Sequence, residues 1–196
     1  MMLKPVRVSA PGVPLVSLEE AKAHCRVDHS DDDDLLNGLV AAATALLDGY
    51  SGVLGRALIN QTWCINLCSW PPCRIRLPLA PVSTIASIKY FDTANAEQDL
   101  AGSNFSLLED ALSPYAGWAS NASLPSLFER EDAIAVEFIA GYGATADKVP
   151  EAIRLAAKLL VGDFYENREA SIVGTTAEEL PFAVKALIAP FRRVGV

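Results

Sequence analysis

Long apolar runs are missing from this sequence. Its longest candidates, such as V-A-A-A-T-A-L-L, fall short of half the roughly 20 residues that a bilayer-spanning helix needs. No membrane partner is therefore expected. The opening M-M-L-K-P-V-R-V has no long apolar stretch of the kind that marks a secretory signal, so export is not expected either. Histidine is scarce, with only His24 and His29, and there is no G-x-S-x-G elbow and no Walker A sequence. Serine-nucleophile and nucleotide-hydrolysing chemistries lose most of their usual signals. Cysteine is limited to four positions, which read as free thiols in a reducing compartment. Basic charge is also short, with 16 Lys and Arg against 24 Asp and Glu and a net charge of −8. Such a surface repels phosphate backbones and argues against tight non-specific nucleic-acid binding.

What remains is a globular composition, 51% hydrophobic and 20% charged, over 196 residues. That is enough for a single domain with a real core. The fold class read from the pattern is α+β: a helical bundle over about 15–57 and 148–193, with an antiparallel β-rich insertion over about 60–141.

In the first zone, Ser17-Leu18-Glu19-Glu20 fits a capping box and predicts a short helix to about Val27. The run His29-Ser30-Asp31-Asp32-Asp33-Asp34 raises the question of a metal site. Consecutive helical residues diverge by about 100°, so four adjacent carboxylates cannot converge on one ion. An EF-hand loop would also need a glycine and a distal glutamate that do not fit here. The reading is a second capped helix start, with Ser30 and Asp33 as the capping pair and the aspartates on the positive end of the helix dipole. Leu36, Leu39, Val40, Ala43, Leu47 and Tyr50 then form one apolar stripe, ended by Gly52 or Gly55. That makes a helix of about 20 residues, roughly 30 Å long.

In the second zone Arg74-Ile75-Arg76-Leu77 alternates, as do Ala86, Ile88 and Tyr90, while Ile134, Val136, Phe138 and Ala140 share one face. These are strands with one buried face. The stretch Leu112 to Leu127 reads as an irregular loop anchored by Trp118. In the third zone Pro150 opens a helix whose stripe is Ile153, Ala156, Ala157, Leu160, Val161 and Phe164. Ser171 to Glu179 reads as a flexible connector. Pro181 opens a last helix with Val184, Leu187, Ile188 and Phe191 on one face, which Pro190 stops or kinks.

Two motifs compete for a chemical reading. Gly141-Tyr142-Gly143-Ala144-Thr145-Ala146 matches G-x-G-x-x-[GA], but a dinucleotide site needs the helix to open inside the motif. Pro150 delays it, so the segment reads as a strand-to-helix turn. Cys64, Cys68 and Cys73 lack C-x-x-C spacing and read as ordinary small side chains, with Cys64 and Cys68 on one strand face. No catalytic, metal or cofactor residue is assigned. Tyr165, Glu166, Asn167 and Arg168 read either as a binding surface or as a charged helix end, and Arg192 and Arg193 as a solvated tail or a partner contact.

The order of the pieces is distinctive. S-L-E-E-A-K and D-D-D-D-L-L are followed by L-P-L-A-P-V-S-T-I-A-S-I-K-Y-F-D and F-I-A-G-Y-G. Next come V-P-E-A-I-R-L-A-A-K-L-L-V-G-D-F-Y-E-N-R-E and L-P-F-A-V-K-A-L-I-A-P-F-R-R. From about Val16 to Arg193 this order resembles the head–tail connector (adaptor) family of long-tailed bacteriophages and of phage-derived gene transfer agents. The resemblance implies a non-enzymatic ring, commonly of twelve copies, beneath the portal protein at the capsid vertex of the virion, made in host cytoplasm before assembly. It implies that the ring extends the DNA channel, without sequence-specific binding, and docks the next neck or tail protein. It also implies portal docking through the C-terminal segment, here Pro181, Phe182, Leu187, Phe191, Arg192 and Arg193. Twelve copies at −8 each would carry about −96, a lumen along which DNA slides. The alternatives are another neck ring protein, a stopper or tail terminator, and a small metal-dependent hydrolase using Asp31 to Asp34 or the cysteines.

Overall fold

The computed structural model describes residues 2–167 and 180–193. The described chain divides into two compact units. One holds residues 2–11 and 60–142, the other 12–59, 143–167 and 180–193.

The first unit is built of strands, with one 3-10 turn at Gly102–Asn104. Alternation writes its central pair, β2 (Gln61–Leu67) and β8 (Ile134–Ala140), each with every second residue buried. They are antiparallel, with Trp63 opposite Phe138, Ile65 opposite Val136 and Leu67 opposite Ile134. Ile65, Ile134, Val136 and Phe138 are fully enclosed. Burial of each large apolar side chain stabilises the unit by about 1.5–3 kcal/mol. β4 (Val82–Phe91) flanks β8 with two register shifts. β1 (Val6–Ser9) and β5 (Glu97–Asp99) close the sheet, giving the order β1-β2-β8-β4-β5 with every pairing antiparallel.

A second sheet of three strands has the order β3-β7-β6, built from β3 (Arg74–Arg76), β6 (Phe105–Glu109) and β7 (Pro114–Trp118). The loop expected over Leu112 to Leu127 is thus part strand. Ala116 sits buried between Ile75 and Leu107. A small residue packs well there because both neighbours supply the apolar bulk, and its size hides the alternation. Trp118 is the expected anchor: its indole N–H donates to the Pro71 carbonyl at 2.9 Å, and its ring meets Trp70 edge-on.

The second unit is helical: α1 (Leu18–Cys25), α2 (Asp33–Leu47), α3 (Glu151–Glu166) and α4 (Phe182–Ile188). α3 packs against the other three. Its stripe Ile153, Ala156, Ala157, Leu160 and Val161 is buried, as are Leu36, Val40, Ala43 and Leu47 of α2. Ser17 caps α1 as expected: its hydroxyl accepts from the Glu20 amide at 3.1 Å and the Glu20 carboxylate accepts from the Ser17 amide at 3.0 Å.

α2 departs from expectation at both ends. It has 15 residues, about 22 Å, because Asp48 turns extended and uses its carboxylate to accept from the Leu58 amide at 2.8 Å. Gly49 follows at φ 83°, a conformation that favours glycine. Tyr50 leaves the stripe and is 43% exposed. At the other end Asp32 takes the N-cap position without a side-chain cap bond, and Ser30 contributes only its carbonyl, to the Asp33 amide. α4 starts after Pro181 and passes through a 3-10 turn at Ala189–Phe191 containing Pro190. Val184 and Ile188 are buried, while Leu187 and Phe191 are only half-buried. The connector expected at Ser171 to Glu179 lies outside the described residues.

Candidate assembly surfaces

The aspartate run joins helices. Lys22 of α1 donates to Asp33 at 2.6 Å, and the Tyr165 hydroxyl of α3 donates to Asp32 at 2.5 Å. Two of the four carboxylates therefore tie α2 to its neighbours, and the side-chain capping role assigned to Ser30 and Asp33 is corrected. Cap geometry needs the serine side chain beside the first free amides, and here only its carbonyl is there.

A second charged joint lies between α1 and α3. The Arg154 guanidinium meets Glu20 at 2.6 Å and Glu151 at 2.9 Å, with Lys158 within 4 Å of both carboxylates. The amide of Ser17, then the Arg154 and Lys158 charges, hold the Glu20 carboxyl below its ordinary pKa, against an opposing effect of burial. Helical spacing of Glu151, Arg154 and Lys158 was the signal for this joint; the partner on α1 was not readable.

At the C-terminal end of α3, Tyr165 is half-buried on Asp32, and Glu166 is exposed. The Asn167 side-chain amide donates to the Asp163 carbonyl and carboxylate, both at 3.1 Å, which ends the helix. Arg168 lies outside the described residues. Tyr165 and Asn167 thus serve the helix bundle itself.

The segment 180–193 has three basic and no acidic residues, whereas 12–48 has eight acidic and two basic. Phe182, 81% exposed, is the most exposed large apolar side chain among the described residues. Ala183, Lys185, Ala186, Ala189, Pro190 and Arg192 are exposed beside it in sequence. The tail beyond α4 is fastened rather than loose: Arg56 Nε donates to the Phe191 carbonyl at 2.6 Å and the Arg193 amide donates to the Leu54 carbonyl at 3.0 Å. That bond holds the backbone of Arg193 in place. Pro181, as N-cap, fixes where the helix begins. Arg56 was missed, since nothing in its neighbourhood announces a contact 135 residues away.

The β unit carries its own charged fastening. Asp110 accepts from Arg74 at 2.9 Å, from Arg76 at 3.0 and 3.1 Å, and from the Leu112 and Ser113 amides. Those donors, Arg76 foremost, hold its carboxyl far below the usual range. They lock the β6–β7 turn to β3. No group of three or more His, Cys, Asp or Glu able to hold a metal occurs among the described residues. Cys64 lies on β2, opposite in facing to Trp63, Ile65 and Leu67, and Cys68 lies just past the strand end. Burial raises the thiol pKa of both Cys25 and Cys64, with Glu166 and Glu137 respectively adding to it, a direction that disfavours the nucleophilic thiolate. Gly141 to Ala146 forms the turn after β8, with Gly141 at φ 145° and the helix opening only at Glu151. Among the described residues no helix is long and apolar enough to cross a membrane.

Residues 15–68 match the sequence model of the phage gp6-like head–tail connector protein family. Among curated proteins none matches. Three solved structures resemble the whole chain. A chain from the neck of an empty gene transfer agent particle, computed with C6 symmetry, is 28% identical with a TM-score of 0.79. A chain from the virion of a native gene transfer agent particle gives the same two values. In both, 99% of this chain and 97% of the other are covered. A third, from the neck of a native particle computed with C12 symmetry, is 24% identical with a TM-score of 0.71 and the same coverage, a likeness of fold. The resemblance read from the sequence is borne out: this chain carries the phage head–tail connector signature at 15–68 within the fold of a gene transfer agent neck protein, and it is a structural connector.

Proposed function

We propose that this connector acts as a ring of copies beneath a portal protein, prolonging the DNA channel and presenting a platform to the next neck or tail protein. The observation that carries the reading is the near-complete overlap with a chain of a particle neck, including both the β and the helical elements. Both units act as parts of one connector domain. The ring contains twelve copies and joins the virion from the host cytoplasm. The protein works by shape and charge and catalyses nothing. An acidic surface at −8 per copy suits a passage for DNA, because adhesion to phosphates needs many cations.

Portal docking falls to 181–193. Phe182 is the apolar anchor, Arg192 and Lys185 supply charge, and the 49–56 loop braces the tail through Arg56 and Leu54. An exposed aromatic beside cations is a usual composition for the energetic centre of an interface. Val184 and Ile188 belong to the core, so removing the whole helix would damage the fold. Phe182→Asp is the cleaner probe. It should fold as the wild type yet fail to co-sediment with portal-bearing heads. Undiminished co-sedimentation would refute docking through this helix. Stoichiometric zinc, manganese or magnesium in the purified protein would favour the hydrolase alternative instead.

A further inference from the structure

The two outer edges of the five-stranded sheet, which pair with no further strand among the described residues, differ in charge. β1 is exposed along its whole length, Val6 and Val8 at 58% and 55%, and it carries Arg7 with exposed Lys4 just before it. β5, at the far edge, is also fully exposed and reads Glu97-Gln98-Asp99. Lys89, one strand inward, meets Glu97 at 2.7 Å and faces Asp99 across the pair, offsetting one of the two carboxylates and leaving the edge with a net acidic charge.

Open edges are a hazard that proteins usually blunt with charge of any kind. Here the signs are sorted, and sorting has a further consequence. Two β1 edges meeting would set Lys4 and Arg7 against their own copies, and two β5 edges would set Glu97 and Asp99 against theirs. Both two-fold pairings are repelled, while β1 against β5 is attracted. Direction agrees with this: four successive antiparallel pairings make β1 and β5 run the same way. A neighbour placed by a rotation that sets its β1 beside β5 would therefore pair with it in the parallel sense. A contact between different patches, repeated by rotation, is the kind that closes a ring.

We infer that the occupant of each edge is a second copy of this chain, with β1 of one copy laid along β5 of the next, so that the sheets continue from subunit to subunit. The inference rests on the ring reading above and adds which surfaces meet. Backbone hydrogen bonds give the contact its geometry, and the charges choose the partner edge.

Charge reversal tests it in particle assembly. Lys4→Glu with Arg7→Glu makes both edges acidic, and Glu97→Lys with Asp99→Lys makes both basic. Each variant produced alone should lose about tenfold or more of its particle-bound copies, as two cross-strand pairs turn from attraction to repulsion. Produced together, the two variants should alternate and regain binding. Wild-type levels for either variant alone, or no gain from the mixture, overturn the inference. Thermal unfolding of each variant checks the fold. Should a reversal unfold its chain, Lys4→Gln with Arg7→Gln and Glu97→Gln with Asp99→Asn read the same edges; partial loss supports pairing and full binding overturns it. Wild-type chain missing from particles would sink the neck reading as well, whereas wild-type present with indifferent edges sinks only the pairing.

Discussion

Tyr165→Phe removes the hydroxyl that makes the 2.5 Å contact tying α3 to Asp32 at the start of α2. A hydrogen bond to a charged group is worth about 1.5–3 kcal/mol. Tyr165 is only half-buried, which favours the lower end, about 1.5 kcal/mol. For a chain of this size that lowers Tm by about 3–6 °C. Asp32→Ala should cost the same contact together with the favourable field of a carboxylate at a helix N-terminus, about 0.3–1 kcal/mol. The double variant separates the two, since the field effect does not depend on Tyr165. Urea unfolding of wild type, both single variants and the double variant should give a coupling of about 1.5 kcal/mol. Coupling below about 0.5 kcal/mol would refute the tie and return Asp32 to a role confined to its own helix. In that case Asp32→Ala would cost the same whether or not Tyr165 keeps its hydroxyl.

Other outcomes follow from the same geometry. Ser17→Ala should lose about 1 kcal/mol by chemical denaturation, and none of that loss is expected if the capping box of α1 is idle. Phe138→Ala, in the closed centre of the sheet, should cost about 3–5 kcal/mol; a cost under about 1 kcal/mol would mean that the β core is not packed as described. Glu20 has a folded pKa below its unfolded value, so its contribution is present above about pH 4.3 and disappears as pH falls through the lowered value. Acid titration of stability should therefore be shallower for Glu20→Gln than for wild type, and identical slopes would contradict the lowering of the Glu20 carboxyl by the Ser17 amide and the Arg154 charge.

The parts of the fold that were legible are those where one face of an element is buried and the other is not. The α3 stripe and the alternation of β8 are written plainly because every buried position is apolar. β1 and β5 are short and exposed on every residue, so no alternation marks them. β7 packs through Ala116 and itself contains Pro114 and Gly117, residues that ordinarily signal a loop. The aspartate run was misread at the side-chain level for a related reason. Capping is a local pattern, whereas the contacts of Asp32 and Asp33 come from Tyr165 and Lys22, 133 and 11 residues away. The C-terminal segment was readable as a short helix between prolines, yet its brace on Leu54 and Arg56 depends on a loop whose course the sequence does not announce.

The central claim is most directly tested by making particles without this chain. The account predicts filled heads that bear portals but no tails, with attachment restored by the wild-type chain and not by Phe182→Asp. Tailed, functional particles assembled in its complete absence would contradict it.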